Sequence, residues 1–144
     1  PGTGDIQLTL SQRATLSGAV IVTTPQDIAL LDARKGIEMF QKVEVPVLGL
    51  IENMAAHVCN ACGKVEPLFG EAGGQHLAEQ YDVPLLGQIP LDRAIREHSD
   101  QGQPIVLAAP EGPIAMVYQE AALKLMAALG QQQPFPATII SMGD

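Results

Sequence analysis

Cys59 and Cys62 are the only cysteines of the chain, separated by two residues in Cys59-Asn60-Ala61-Cys62. That spacing lets both thiolates reach one metal ion or cluster, as in zinc knuckles and iron–sulfur sites. Such a site takes four ligands, and one pair supplies half of them. His57 and His76 are candidates to complete a zinc site, but their spacing matches no standard zinc pattern. A two-fold dimer meets the count differently, because two chains bring four thiolates to the axis. A thioredoxin-like redox pair is a competing reading. It needs its first Cys at a helix start, whereas residues 58–64, Val-Cys-Asn-Ala-Cys-Gly-Lys, read as a turn. Two unrelated free thiols are the plain alternative.

Other segments carry weaker signals. In Pro1-Gly2-Thr3-Gly4-Asp5 the glycines leave backbone amides free to approach an anion, and a helix start just after would favour a phosphate. A simple Gly-rich turn explains the segment equally well. A Walker A loop is absent: the one Gly-Lys, Gly63-Lys64, is followed by Val65 and lacks the upstream Gly. The amide of Asn53 offers a donor and an acceptor, which suits a purine edge, but a strand-end cap is the simpler role. Pro90-Leu91-Asp92 by itself reads as a turn and a helix N-cap. His98 reads as solvated, and Met39, Met116 and Met126 lie at helical spacings that suit a core. No Ser/His/Asp or paired-Glu arrangement stands out.

The elements that must hold these residues follow a βαβ rhythm. Residues 5–13 fit a short helix with Ile6, Leu8 and Leu10 as apolar contacts. Residues 19–24, Ala-Val-Ile-Val-Thr-Thr, form a β-branched run of the kind buried on both faces in parallel sheets. A helix is predicted over 26–42, with Ile28, Leu31, Ile37 and Phe40 as its apolar stripe. A second strand covers 47–53, irregular chain 54–69, a helix 70–81 and a third strand 85–89, stopped by Pro90. A short helix over 93–99, a Gly/Pro-rich loop and a helix from 113 to 129 complete the set. Strand starts 25 to 40 residues apart imply crossover connections and a parallel sheet, with ligands beyond the C-terminal strand ends. Those ends hold Thr23 to Gln26, Glu52 to Met54 and Ile89 to Asp92, and the cysteines follow the second.

Composition narrows the function. The chain has 144 residues, 47% of them hydrophobic, enough for one globular core. Aromatics are only 3%, which disfavours a single-strand nucleic-acid binder built on stacking. A formal charge of −8 disfavours non-specific binding to nucleic acid or an anionic membrane. No stretch reaches a membrane-spanning length, and no signal peptide is visible. A cytoplasmic protein without nucleic-acid or membrane partners is expected.

Taken in order, several of these segments resemble one family. They are Pro1-Gly2-Thr3-Gly4-Asp5, Val20-Ile21-Val22-Thr23-Thr24-Pro25-Gln26, Gly49-Leu50-Ile51-Glu52-Asn53-Met54 and Cys59-Asn60-Ala61-Cys62-Gly63. Phe69-Gly70 with Gly73-Gly74 and Gly87-Gln88-Ile89-Pro90-Leu91-Asp92 follow. Together they resemble the Mrp/ApbC group of iron–sulfur cluster carrier ATPases, deviant P-loop proteins related to MinD and the nitrogenase iron protein. The likeness runs from residue 1 to about residue 129, and the Cys pair makes it specific, because MinD-like relatives lack it. Family members carry a Lys-Gly-Gly-x-Gly-Lys-Ser/Thr loop upstream and an Asp shortly before the Pro-Gly-Thr-Gly-Asp segment. Neither is in this chain, so the likeness is to the C-terminal part of such a protein.

The resemblance implies an α/β fold: a parallel sheet with flanking helices, part of a P-loop NTPase domain over 1–130, followed by an irregular tail over 131–144. It implies that Gly2, Thr3, Gly4 and Asp5 belong to the switch that senses the γ-phosphate. It implies that Asn53, Pro90, Leu91 and Asp92 flank the nucleotide base. Cys59 and Cys62 would bridge a [4Fe–4S] cluster across a homodimer that serves apo iron–sulfur acceptor proteins, with ATP and Mg²⁺ acting in the full-length protein. A structural zinc-binding dimeric module and a MinD-like partitioning ATPase are the alternatives. The Cys pair and a last helix whose only basic residue is Lys124 count against the latter. Without their upstream partners, the parallel strands would expose an apolar edge and face, so the chain alone is expected to aggregate or to pair. It is also expected neither to bind ATP tightly nor to hydrolyse it. A phosphate-release assay with Mg²⁺ checks this, and turnover like that of intact family members would refute it.

Overall fold

The computed structural model describes residues 4–59 and 61–131. Helix α1, Asp5–Arg13, places Asp5 in its first turn and Arg13 in its last, matching the helix dipole at both ends. It buries no residue, and Ile6 and Leu10 face solvent rather than a core. Strand β1, Ala19–Thr23, ends where Thr24-Pro25 removes a backbone donor. Helix α2, Asp27–Lys42, returns along the sheet. The expected stripe is half right. Ile37 is fully buried and Phe40 packs on the core, but Ile28 and Leu31 are exposed. Leu30 and Ala33 take their place, since 30, 33, 37 and 40 hold the 3.6 periodicity with Ile37 and the other two do not.

Strand β2, Val47–Val58, runs five residues past its expected end at Asn53. Two partners keep it extended. One is β3, Val65–Glu66, which follows β2 and pairs antiparallel with His57 and Val58. Strand β4, Leu85–Leu91, pairs parallel with β2 as far as His57. Met54, at φ 56, kinks β2, and the register with β4 shifts between Asn53 and His57. Between β3 and β4 lies helix α3, Gly73–Gln80. It starts later than residue 70 because Gly70 (φ 117) and Ala72 (φ 56) hold backbone conformations that no α-helix contains. Strand β4 passes through Pro90 instead of stopping at Ile89, which is tolerated because, among the described residues, no strand pairs with its outer side. Helix α4, Arg93–Asp100, is capped by Asp92. A four-residue turn of helix, α5, Ile105–Ala108, buries Ile105 inside the loop expected to be irregular. Helix α6, Pro113–Gln131, closes the described chain, and the 137–140 segment lies outside the described residues.

The sheet has β2 between β1 and β4, all parallel, with antiparallel β3 added at the far end of β2. The α/β expectation therefore holds, with one short antiparallel strand added. Helices α2 and α3 cover one face through Ile21, Ala33, Ile37, Leu50, Leu77 and Ala78. Helix α6 covers the other over β4 and β2, and a Cβ on Gly87 would lie 3.1 Å from the Cβ of Ala121. Beyond α6 the sheet is bare: Val22 on β1 is 62% exposed, and no strand among the described residues pairs with the outer edge of β1. Truncating Leu50, which is fully buried, is expected to lower the unfolding free energy by about 3 kcal/mol in Leu50→Ala. Ile28→Ala, at an exposed position, is expected to change it by less than about 0.5 kcal/mol. Urea unfolding of both variants checks the pair.

Candidate functional site

The cysteines occupy the turn of the β2–β3 hairpin. The Cys59 N–H donates to the Lys64 carbonyl at 2.9 Å, and the Gly63 N–H donates to the Cys59 carbonyl at 2.8 Å. Gly63, at φ 71, supplies the left-handed residue that closes the turn. This folding aims backbone donors at sulfur. The Ala61 and Cys62 N–H groups and the Cys62 thiol hydrogen-bond to the Cys59 sulfur and hold its pKa below the ordinary thiol value. Cys59 is half-buried and Cys62 exposed. No helix begins at Cys59, so the setting that activates a thioredoxin-type pair is not present here.

The two histidines do not complete a metal site. His57 Nδ1 lies 3.2 Å from the Leu91 carbonyl, tied to β4, and His76 sits exposed on α3. Among the described residues no three His, Cys, Asp or Glu side chains converge to hold a metal ion.

Behind the hairpin, the strand ends line up. Thr23, Glu52 and Gln88 form one row across β1, β2 and β4. Asn53 pairs in register with Ile89, so it stands beside Pro90. The Asn53 side-chain oxygen accepts the Met54 N–H at 2.9 Å, the local bond expected of a strand-end Asn. The Asp92 carboxylate accepts the Ala94 N–H at 2.7 Å and caps α4, as its position in the sequence suggests. Gly4 is the N-cap residue of α1, whose first turn holds Asp5, while Gly2 and Thr3 lie outside the described residues. One turn along, Gln7 shares with Asn53, Val20 and Thr24 a cavity of about 410 Å³ beside β1. The structure thus gathers Asn53, Pro90, Leu91 and Asp92 at adjacent strand ends and sets the cysteines on a separate hairpin.

One strand-end residue has a role that its position in the sequence does not assign. Glu52 is 1% exposed, the only fully buried acid among the described residues. It accepts the backbone N–H of Gly74, in the first turn of α3, and the side-chain amide of Gln88 at 2.9 Å. An acid directly after the apolar run Val47 to Ile51, with a Gly-Gly helix start further on, is the signal the sequence offers.

A largely parallel sheet, helices on both faces and polar groups gathered past its strand ends are the frame on which α/β domains hold nucleotides. Residues 1–126 match the model of the ParA family described as NUBPL iron-transfer P-loop NTPase, and the chain belongs to that family. Curated relatives include an iron–sulfur cluster carrier protein of Pseudomonas fragi, 61% identical over 85% of this chain and 43% of the relative. Another is the iron–sulfur cluster transfer protein NUBPL of Mus musculus, 53% identical over 82% of this chain and 37% of the relative. The chain therefore spans about two-fifths of the length of these relatives. Among solved structures, a nucleotide-binding protein from Archaeoglobus fulgidus in complex with ADP is similar with a TM-score of 0.64 and 42% identity. That match covers 72% of this chain and 42% of the other. The cell division ATPase MinD of Pyrococcus furiosus is similar with a TM-score of 0.59 and 27% identity, over 77% of this chain and 43% of the other. No helix among the described residues is long and apolar enough to cross a membrane.

The lowered pKa of Cys59 sets the sign of a pH effect. Its thiolate persists to lower pH than an ordinary thiol, so its alkylation by iodoacetamide should reach half-maximal rate at a lower pH than that of an ordinary exposed thiol. In Cys62→Ser both backbone donors remain, and most of the shift should persist. Mass spectrometry of alkylation against pH checks this, and a midpoint at the ordinary value would contradict the hairpin geometry.

Proposed function

We propose that this chain is the metal-handling part of an iron–sulfur cluster carrier. On this reading Cys59 and Cys62 supply two of the four thiolates of a [4Fe–4S] cluster, and the same pair of a second copy supplies the others. The observation that carries it is the hairpin, which turns two backbone N–H groups and the Cys62 thiol toward the Cys59 sulfur and so favours the thiolate that metal ligation needs. The relatives support it, being iron–sulfur cluster carrier and transfer proteins. The cluster is cargo, passed on to apo acceptor proteins.

In the complete protein, ATP with Mg²⁺ would govern loading and release. Asn53 and the segment Pro90 to Asp92, at the end of β4, would flank the base, and the segment reaching Gly4 and Asp5 would respond to the γ-phosphate by ordering and relaxing. Partitioning on a membrane or DNA surface finds no support. Lys124 is the only cation of α6, and it is paired with Glu120 at 2.9 Å.

Anaerobic reconstitution of the full-length protein with iron and sulfide tests the proposal. The expected result is iron–sulfur charge-transfer absorption with four irons per dimer, lost in both Cys59→Ala and Cys62→Ala because each change removes two ligands per dimer. A colourless protein holding one zinc per dimer would support the structural zinc module instead. A monomer that takes up neither metal would reject both.

A further inference from the structure

Glu52 is buried at 1% exposure, and its two bonds are to uncharged donors, Gly74 N–H and Gln88 Nε2. A carboxylate in that setting costs more to bury than an amide or an apolar side chain of the same size would. Its partners show what it holds. Gly74 is the second residue of α3, where the helix dipole favours a negative group, and α3 is the first helix after the cysteine hairpin. Gln88 lies in register with Glu52 on β4, two residues before Pro90. Asn53 is the next residue along β2, on the opposite face of the strand.

The contact leaves no slack. A Cβ on Gly74 would lie 2.9 Å from the Cβ of Glu52, and one on Gly73 would lie 3.0 Å from the Pro25 carbonyl oxygen. One on Gly70 would lie 3.1 Å from the same oxygen. The segment that leads from the cysteine hairpin into α3 is therefore pressed against the ends of β1 and β2. The other route from Asn53 to Cys59 runs along β2 through the left-handed Met54 and the shifted register beyond it.

We propose that Glu52 is a positioning residue that fastens the loop after the cysteine pair to the strand ends bearing Asn53 and Pro90, so that a nucleotide bound at those ends alters the exposure of the cysteines through it. The proposal rests on the reading above for the placement of the nucleotide, but its test does not depend on any cluster. The rate of alkylation of Cys59 and Cys62 is measured by iodoacetamide and mass spectrometry in metal-free, full-length protein, with and without Mg-ADP. In the unmodified protein ADP is expected to change the rate at least about fivefold, the lower end of ordinary coupling between sites. In Glu52→Ala the two rates should agree within about twofold, with ADP still bound. Glu52→Gln keeps an acceptor for the Gly74 N–H and should retain most of the change, a rescue that loss of fold would not show. If Glu52→Ala does not fold, Gln88→Ala removes the 2.9 Å bond from an exposed position and should shrink the change. An ADP effect absent from the unmodified protein, or undiminished in Glu52→Ala or Gln88→Ala, overturns the proposal. Failure of the carrier reading would appear elsewhere, as absence of iron uptake in the reconstitution.

Discussion

Strand β2 is hydrogen-bonded along both edges, to β1 on one side and β4 on the other, and the rest of the molecule is arranged around that double pairing. Two parallel neighbours require two crossover connections, and these carry α2 and α3 over one face of the sheet. A strand paired on both sides and covered on both faces must be apolar along its middle, as Leu48 and Leu50 are. It also fixes where chemistry can occur. Parallel strands end together, so Thr23, Glu52 and Gln88 fall in one row, and whatever lies one step beyond faces the same space. The pairing of β2 with β4 continues to His57, opposite Leu91 at the end of β4, and this carries the cysteine hairpin past the end of β1.

Most of this was legible in the sequence where periodicity and punctuation agreed. The β-branched run at 19–24, the Asp92 cap and the Pro113 helix start each follow a local rule, and the structure obeys them. The failures have a common physical origin in partners distant in sequence. Residues 54–58 carry no strand pattern of their own and are extended because β3 and β4 pair with them. Pro90 normally ends a strand, but it is tolerated here because no strand among the described residues pairs with the outer side of β4. Ile28 and Leu31 are at least as apolar as Leu30 and Ala33, but 30 and 33 share the helix face of Ile37 and Phe40, which the distant strands cover. The site shows the same division. The cysteines and Asn53 announce themselves by residue type, whereas Glu52 gains its meaning from Gly74, 22 residues away.

The two cysteines differ in their surroundings, and the difference bears on the carrier reading. Cys59 is half-buried and receives two backbone donors, while Cys62 stands in solvent on the turn. On the reading proposed above, Cys59 would anchor the metal and Cys62 would be the ligand open to exchange. A storage site is served by enclosing all four ligands within one fold, as structural zinc sites do. A transfer site has the opposite need, because an incoming thiolate must reach the metal before an outgoing one leaves. On that reading, a hairpin that gives two ligands, one of them exposed, would leave half the coordination sphere to be met by groups outside the hairpin. The feature that makes this pair too few for a complete site is thus the one that would let its cargo be handed on.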